Sequence, residues 1–176
     1  DRTFIGKATP DLTLGWNNSL NWKNWDLNFF FTGAFGADRL NLVHFTGATL
    51  TGDFAFISLQ EAWEDSFDKK GQSARHPSVN VTGNNYQAAS TKWLEKADYL
   101  RLDNLSLSYN LPKSVAEFAD FRFTLSCQNL FTISGYKGLD PAGSSFSTGN
   151  WDINDGIDLG AYPLSRIFTI GVRMNF

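Results

Sequence analysis

The chain has 176 residues, a formal net charge of −3 and 42% hydrophobic residues, a profile that fits a single folded domain with an adequate core. The acidic balance predicts no nucleic-acid partner, because binding to phosphate backbones depends on basic side chains. No stretch approaches about 18 uninterrupted apolar residues, so the sequence offers no membrane-spanning helix.

Two alternating segments, 11–22 and 25–36, predict a β-hairpin. In each segment apolar side chains recur at every second position, opposite Asn, Ser, Thr or Asp, so a strand would have one apolar and one polar face. Trp22 and Trp25 flank the short turn at 23–24. Tryptophan at such a position is typical of the aromatic girdle at a membrane interface.

The stretch 37–92 loses this alternation and is predicted to be a long loop. Within it Phe56, Leu59, Trp63 and Phe67 recur every three or four residues beside acidic side chains, which predicts one short amphipathic helix. Such an apolar stripe favours packing of the loop onto its own scaffold over a ligand site. A loop of this length is usually functional or disordered.

Three further strands are predicted at 93–111, 121–133 and 164–176. The last one alternates to the final residue, and its 13 positions would rise about 40 Å along the strand, or about 30 Å when tilted as barrel strands are. Cys127 has the apolar parity and is expected to behave as a small hydrophobe. The predicted lipid-facing residues are Phe29, Phe31, Leu105, Leu107, Phe123, Leu125, Phe168, Ile170 and Val172.

The connections alternate between short and long. Short turns at 23–24 and 112–120 fall on one side, and the loops 37–92 and 134–163 fall on the other, as in outer-membrane barrels. Because about eight strands are the fewest that close a barrel, five strands predict an incomplete one. The expected fold is therefore all-β: the C-terminal five antiparallel strands of a larger transmembrane barrel, with the plug and earlier strands absent from this chain.

Four blocks in order resemble the C-terminal end of the SusC/RagA family of TonB-linked outer-membrane proteins of Bacteroidetes: DRTFIGKATPDLT at 1–13, YLRLDNLSLSYNLP at 99–112, QNLF at 128–131 with YKGLDP at 136–141, and GIDLGAYP at 156–163. The resemblance covers nearly the whole chain and is weakest over 37–92. It implies a 22-stranded barrel with an N-terminal plug. It also implies a SusD-like surface lipoprotein, energy coupling through TonB, and import of oligosaccharides or peptides across the bacterial outer membrane.

Sequence motifs for catalysis are absent. His44 and His76 lie far in sequence from each other and from Cys127, and there is no phosphate-binding glycine loop, so the chain is not expected to be an enzyme or to hold a cofactor. The acidic run 152–158 has a passing likeness to a calcium loop, but Gly156 comes one position too early for the EF-hand pattern. A solvated loop is the preferred interpretation there.

Several functional roles and alternatives follow from these patterns. Phe176, an aromatic residue that ends an alternating strand, resembles the signal read by the barrel-assembly machinery.

Two other functions stay open: a surface-exposed soluble β-sandwich used for adhesion or binding, and a passive porin. Candidate stacking partners for cargo are the loop aromatics Trp63, Tyr136, Phe146, Trp151 and Tyr162, although each is more often a structural residue.

Overall fold

The computed structural model describes residues 3–48, 60–78, 90–115, 118–143 and 156–176. The chain forms two compact units. We call Pro10–Gly36, Asp98–Gly135 and Pro163–Phe176 the sheet unit, and Asp1–Thr9, Ala37–Ala97 and Tyr136–Tyr162 the loop unit. In chain order the strands are β1 Leu12–Trp22, β2 Trp25–Phe35, β3 Asp38–Asn41, β4 Leu94–Lys96, β5 Tyr99–Asn110, β6 Asp120–Ser134, β7 Ile157–Asp158 and β8 Ile167–Asn175.

The sheet unit is one five-stranded sheet in the order β1-β2-β5-β6-β8, and every neighbouring pair is antiparallel. This is the antiparallel all-β arrangement that the alternating segments predict. Two predicted boundaries are wrong. The final strand spans Ile167–Asn175 rather than 164–176, and the predicted strand 93–111 is two strands, β4 and β5, which belong to different sheets.

A bulge in β5 explains how a charged segment continues an otherwise apolar strand. Phe30 pairs with Asn104 and Phe31 with Leu102, so Asp103 is an extra residue in the ladder. The extra residue reverses the alternation, which places Leu102 on the same face as Phe31. The Asp103 carboxylate accepts a hydrogen bond from Thr32 Oγ1 (2.5 Å), on the polar face. The charge of this part of the strand also predicts that it rises above the membrane, and the bulge does not test that prediction.

The loop unit contains the three-stranded sheet β4-β3-β7, in which β3 is antiparallel to β4 and parallel to β7. The two loops predicted as separate excursions are therefore joined by backbone pairing between Leu40 and Ile157. Its small apolar core consists of Ala48, Ala62 and Trp93, with Leu40 and Phe45 packed against them. The helices are α1 Leu42–Ala48, α2 Gln60–Glu64 and α3 Phe67–Lys70, with 3-10 turns at Gly71–Ser73 and Thr91–Trp93.

The single amphipathic helix predicted within 37–92 is not one helix. Helices α2 and α3 are separated at Ser66, which is fully buried and whose hydroxyl donates to the Trp63 carbonyl (2.7 Å). Phe56 and Leu59 lie outside the described residues. Trp63 and Phe67 are 42% and 54% exposed, so these two residues of the predicted apolar stripe are not buried against the rest of the loop unit. The buried residue of α2 is Ala62.

Among the helices of the described ranges, none is both long enough and apolar enough to cross a lipid bilayer.

Candidate functional site

The apolar face of the five-stranded sheet brings all nine predicted lipid-facing residues together. Eight of them fall in three rows of directly paired residues across the sheet, and Phe31 stacks on Trp16 one row further. On β8, Ile170, Phe168 and Val172 are 82%, 66% and 62% exposed. The three rows of paired residues, each running from β2 through β5 and β6 to β8, are Phe29-Leu105-Cys127-Phe168, Leu27-Leu107-Leu125-Ile170 and Trp25-Tyr109-Phe123-Val172.

Crowding by neighbouring side chains of the same face explains why some of these apolar side chains are only half exposed. Trp16 contacts Phe29 edge-on with ring centroids 5.4 Å apart, and it stacks on Phe31 at 5.8 Å. Cys127, between Leu105 and Phe168, is buried because its side chain is shorter than theirs. Contact of this face with lipid itself stays a prediction.

The opposite face is polar and carries a hydrogen-bonded belt near the short turns. Asp26 on β2 accepts from Asn21 Nδ2 (2.5 Å) and Asn110 Nδ2 (3.1 Å), and it pairs with Arg122 Nη1 at 2.9 Å. Arg173 on β8 is the cross-strand neighbour of Arg122. The hydrogen-bonded belt therefore crosses four strands, β1, β2, β5 and β6, and Arg173 places a further charged side chain beside it on β8.

In the loop unit, the fully buried carboxylate of Asp158 fixes the backbone after β7. Tyr136 Oη donates to Asp158 Oδ2 at 2.6 Å, and the amides of Gly160 and Ala161 donate to Oδ1 at 2.8 and 3.0 Å. Burial first, and then the bond to the carboxylate, raise the pKa of Tyr136 far above its ordinary value. The phenol thus stays protonated and acts as a permanent donor.

A second buried group ties β3, β4 and the start of the second loop together. Asn41 Oδ1 accepts from the amide of His44 (2.8 Å), in the manner of a helix N-cap for α1. The Glu95 carboxylate accepts from Asn41 Nδ2 (3.3 Å) and the amide of Lys137 (2.9 Å), and it contacts His44 Nδ1 at 3.1 Å. Two polar side chains thus connect segments nearly a hundred residues apart in sequence.

Ion pairs hold the surface of the loop unit. Asp38 contacts Lys96 Nζ at 2.6 Å and accepts from the Lys7 amide at 3.2 Å; these bonds, with that to Lys96 the strongest, lower the pKa of Asp38. Asp65 contacts Lys70 Nζ at 2.6 Å, and that bond lowers the pKa of Asp65. Arg39 is buried, and its Nε and Nη1 have no hydrogen-bond partner among the described residues.

The structure divides the five candidate cargo-contacting aromatics. Trp63 and Tyr162 are 42% and 85% exposed, and Lys69 Nζ lies 4.9 Å from the Trp63 ring centroid. Tyr136 is only 8% exposed and its hydroxyl donates to Asp158, which gives it a structural role in the loop unit, and its ligand-stacking role stays an untested prediction. Phe146 and Trp151 lie outside the described residues.

Two open clefts lie in the helical part of the loop unit. One, of about 590 Å³, has an apolar edge at Phe67 and Ala74 and polar groups from Asp68 and His76. The other, of about 410 Å³, is lined by Glu61, Glu64, Asp65, Lys70, Ser73 and Arg75. Burial is the main cause that lowers the pKa of His76, which favours the neutral form of this imidazole.

The candidate calcium run 152–158 is described only from Gly156 onward. In that part Asp158 uses both carboxylate oxygens in hydrogen bonds to Tyr136 and to backbone amides. Within the described ranges, no group of three or more His, Cys, Asp or Glu side chains could hold a metal ion. A calcium site at 152–158 stays an untested hypothesis.

Comparison with known sequences gives several relatives along the full length of the chain. TonB-dependent receptor P3 of Formosa agariphila is 34% identical over 185 residues, and TonB-dependent receptor SusC of Bacteroides thetaiotaomicron is 26% identical over 180 residues. The chain is SusC/RagA-like throughout its length. It spans 17% and 16% of the length of these two receptors, and it matches no protein-family model.

Solved structures agree with this assignment at the level of the fold. The SusC/RagA-like chain superposes on the RagAB peptide importer in its closed-closed state with a TM-score of 0.77, at 24% identity, over 98% of this chain and 18% of that one. The open-open state gives a TM-score of 0.68 at 24% identity, over 96% of this chain and 17% of that one. The family resemblance of the sequence blocks is thereby confirmed, and all of these relatives are named as receptors or importers.

Sequence reasoning missed the polar side chains that organise the loop unit. Asn41, Glu95 and Asp158 lie in strands of two to four residues, which are too short for a period to distinguish them from solvated loop residues. One signal was available: Asp158 and Tyr136 both lie in blocks that carry the family resemblance, although Tyr136 was interpreted as a stacking residue.

Proposed function

We propose that this SusC/RagA-like chain forms part of the barrel wall and of the outer loops of a TonB-dependent importer in the bacterial outer membrane. Cargo would be an oligosaccharide or a peptide, and the partner a SusD-like surface lipoprotein. The supporting observation is the five-stranded sheet with one exposed apolar face and one polar, hydrogen-bonded face. A wall between hydrocarbon and an aqueous interior requires this division.

The two other functions considered from the sequence have less support. A soluble β-sandwich would bury its apolar face against a second sheet, yet Ile170 is 82% exposed and Phe168 is 66% exposed. A passive porin shares the wall but needs no energy coupling, whereas the relatives are named TonB-dependent receptors. A TonB-dependent importer is the proposal that agrees with both observations.

The exposed aromatics of the loop unit suggest where cargo touches this chain. Trp63 and Tyr162 are exposed aromatic side chains of the kind that stack on a sugar ring or on a peptide side chain. The nearby ammonium of Lys69 favours a polar or anionic group beside Trp63. Neither contact requires bond chemistry, which agrees with a transport role.

Uptake in cells tests the proposal directly. The full-length receptor is expressed in a strain that lacks it, and accumulation of labelled oligosaccharides and peptides is measured with and without functional TonB. We expect one cargo class to accumulate only when both receptor and TonB are present. Equal accumulation without TonB would point to the passive porin, and no receptor-dependent accumulation of either class would remove the importer proposal.

The lipoprotein partner has a separate test. The tagged full-length receptor is purified from native membranes in mild detergent, and the proteins that remain bound are identified by mass spectrometry. We expect a surface lipoprotein in near-stoichiometric amount. Purification of the receptor alone under conditions that keep the barrel folded would contradict the partnership.

A further inference from the structure

We propose that the connection between β5 and β6 is a membrane anchor, in which Phe118 and Val115 contact the phospholipid interface beside the ends of the strands. This inference rests on the proposed membrane location of the sheet. It adds a lipid-binding surface outside the strands, in a segment that the sequence suggested was only a short turn.

Phe118 continues the apolar face of the sheet past the end of β6. Its ring packs edge-on against Phe121, with centroids 5.7 Å apart. Phe121 has the same parity as Phe123 and is paired with Met174 on β8, so it belongs to the apolar face. Phe118 nevertheless stays 72% exposed, and Val115 in the same connection is 70% exposed. Phe118 therefore borders a face that is already apolar, and the same connection exposes a second apolar side chain, Val115.

The second hairpin extends further along the strands than the first. Trp25, Tyr109 and Phe123 form one cross-strand row, at which the first hairpin ends. The second hairpin continues for two more residues, to the bond from the Leu111 amide to the Phe121 carbonyl (2.9 Å). For the two turns to lie at one depth in the membrane, an offset of roughly 6.6 Å along strands whose hairpin axes are roughly 9.6 Å apart requires a strand tilt of about 35°. Barrel strands in membranes are tilted by about 35–45°.

Because the required tilt lies in the range of barrel strands, the proposal takes the two short turns to lie at one depth in the membrane. The level of Trp22 and Trp25, the aromatic pair at the first turn, is then also the level of Phe121 at the second. Trp25 and Tyr109 are packed with ring centroids 4.6 Å apart, and Lys23 Nζ lies 5.1 Å from the Trp22 ring centroid. Aromatic rings beside lysines are the side-chain types enriched at the headgroup level of bilayers. Phe118, in contact with Phe121, reaches this level from outside the strands.

The charges of the connection are arranged for the same interface. Lys113 is 82% exposed at its side chain and lies 3.7 Å from Asp120, itself 58% exposed. Both groups can remain in the headgroup layer while Val115 and Phe118 contact the acyl boundary, as amphipathic surface anchors do. The partner of this apolar surface is therefore the phospholipid interface, which the connection between β5 and β6 contacts in addition to the strands.

Lipid-dependent quenching of a fluorophore tests the anchor. In the full-length receptor with Cys127→Ser, single cysteines are placed at Phe118, at Ile170 in the middle of the apolar strand face, and at Leu139, an exposed residue of the loop unit (57%). Each is labelled with an environment-sensitive dye. The receptors are reconstituted in phospholipid vesicles with spin labels either near the headgroup or in the middle of the acyl chain.

Each outcome decides one claim. We expect the dye at Phe118 to be quenched mainly by the shallow label, the dye at Ile170 mainly by the deep label, and the dye at Leu139 by neither. Quenching at Ile170 without quenching at Phe118 would overturn the anchor while leaving the membrane location intact. Absence of quenching at both would overturn the membrane location as well. A second reporter at Val115 should behave like the one at Phe118, and aqueous quenching at both positions would contradict the proposal.

Discussion

The hydroxyl of Tyr136 is one of three donors that hold the buried carboxylate of Asp158 in the loop unit. Tyr136→Phe removes the donor and leaves the buried Oδ2 of Asp158 without it. A hydrogen bond to a charged group contributes roughly 1.5–3 kcal/mol to stability. We expect limited proteolysis of the purified full-length receptor to cleave the loop unit about tenfold faster or more in this variant. Tyr162→Phe, at an exposed phenol, is the matched control and should leave the rate unchanged; equal rates in both variants would contradict the structural role of Tyr136.

The same tyrosine predicts a pH dependence. Its pKa is raised above the ordinary value of 10.0, so folding favours the protonated phenol. The contribution of this phenol to the free energy of unfolding is complete below pH 10.0. It is lost as the pH rises above that value, because Tyr136 then ionises in the unfolded chain but stays protonated in the folded chain. Cleavage of the loop unit by an alkaline protease should accelerate above that pH in the natural receptor. Tyr136→Phe should lack this component; identical alkaline profiles would show that another group causes it.

Much of the sheet was predictable residue by residue, and the polar contacts were not. Alternation identifies the side of a strand on which a residue lies, and it predicts that Phe29, Leu107 and Ile170 lie on one face. In the structure they do lie on the same face of the sheet. The partner of a buried polar group depends on which distant segments meet. Nothing in the local sequence of Glu95 indicates that it accepts the amide of Lys137, so such contacts required the structure.

At the scale of the element, the bulge at Asp103 is the feature that decides the register of β5. Deletion of Asp103 would restore strict alternation and turn Arg101 and Leu102 to the opposite faces. Arginine on a lipid-facing strand costs roughly 2–4 kcal/mol at the middle of the bilayer and about 0–1 kcal/mol near its edge. We therefore expect less folded receptor in the outer-membrane fraction, measured by heat-modifiable mobility on gels.

A matched substitution separates the bulge from its charge. Asp103→Asn keeps the extra residue and an acceptor for Thr32 Oγ1, so assembly should stay near that of the natural receptor. A deletion that assembles as well as Asp103→Asn would mean that the register of β5 tolerates the shift. The alternation pattern could not reveal this bulge, because a bulged strand and a strand that leaves the membrane have the same sequence signature.

The final strand offers an element-scale test of assembly. Phe176 lies just past β8 and is 93% exposed, so its removal disturbs few internal contacts. If this aromatic end is the signal for the barrel-assembly machinery, deletion of Phe176 lowers the amount of receptor in the outer membrane without changing its melting temperature. Phe176→Tyr keeps an aromatic end and should assemble normally. Unchanged assembly after the deletion would remove the signal role.

At the scale of the whole molecule, the loops were the least predictable part. The sequence divided them into two independent excursions, but their backbones pair in one sheet through Leu40 and Ile157. Strands this short carry no period, and the parallel pairing joins residues more than a hundred positions apart. What the sequence did support was the fold class and the family, because four ordered blocks and the alternating strands agree with each other.

Cargo selection belongs to this scale, because it needs the complete receptor. Trp63→Ala should weaken uptake of the cargo class that the receptor imports, since stacking on an exposed indole contributes roughly 1 kcal/mol, or several-fold in affinity. Concentration-dependent uptake in cells measures the effect as a higher half-saturation concentration at unchanged receptor abundance. Trp22→Ala, on the predicted membrane girdle, is the control. Equal half-saturation concentrations in both variants would remove Trp63 from the cargo surface.

The central claim is that one face of this sheet contacts hydrocarbon and the other does not. Ile170 and Thr169 are adjacent on β8 and take opposite faces, so Ile170→Lys and Thr169→Lys place the same charge on the two sides. The measurement is the free energy of unfolding of the full-length receptor in lipid vesicles. We expect Ile170→Lys to lose roughly 2–4 kcal/mol and Thr169→Lys less than about 1 kcal/mol. Equal losses, or a larger loss at Thr169, would contradict the assignment of the apolar face to lipid.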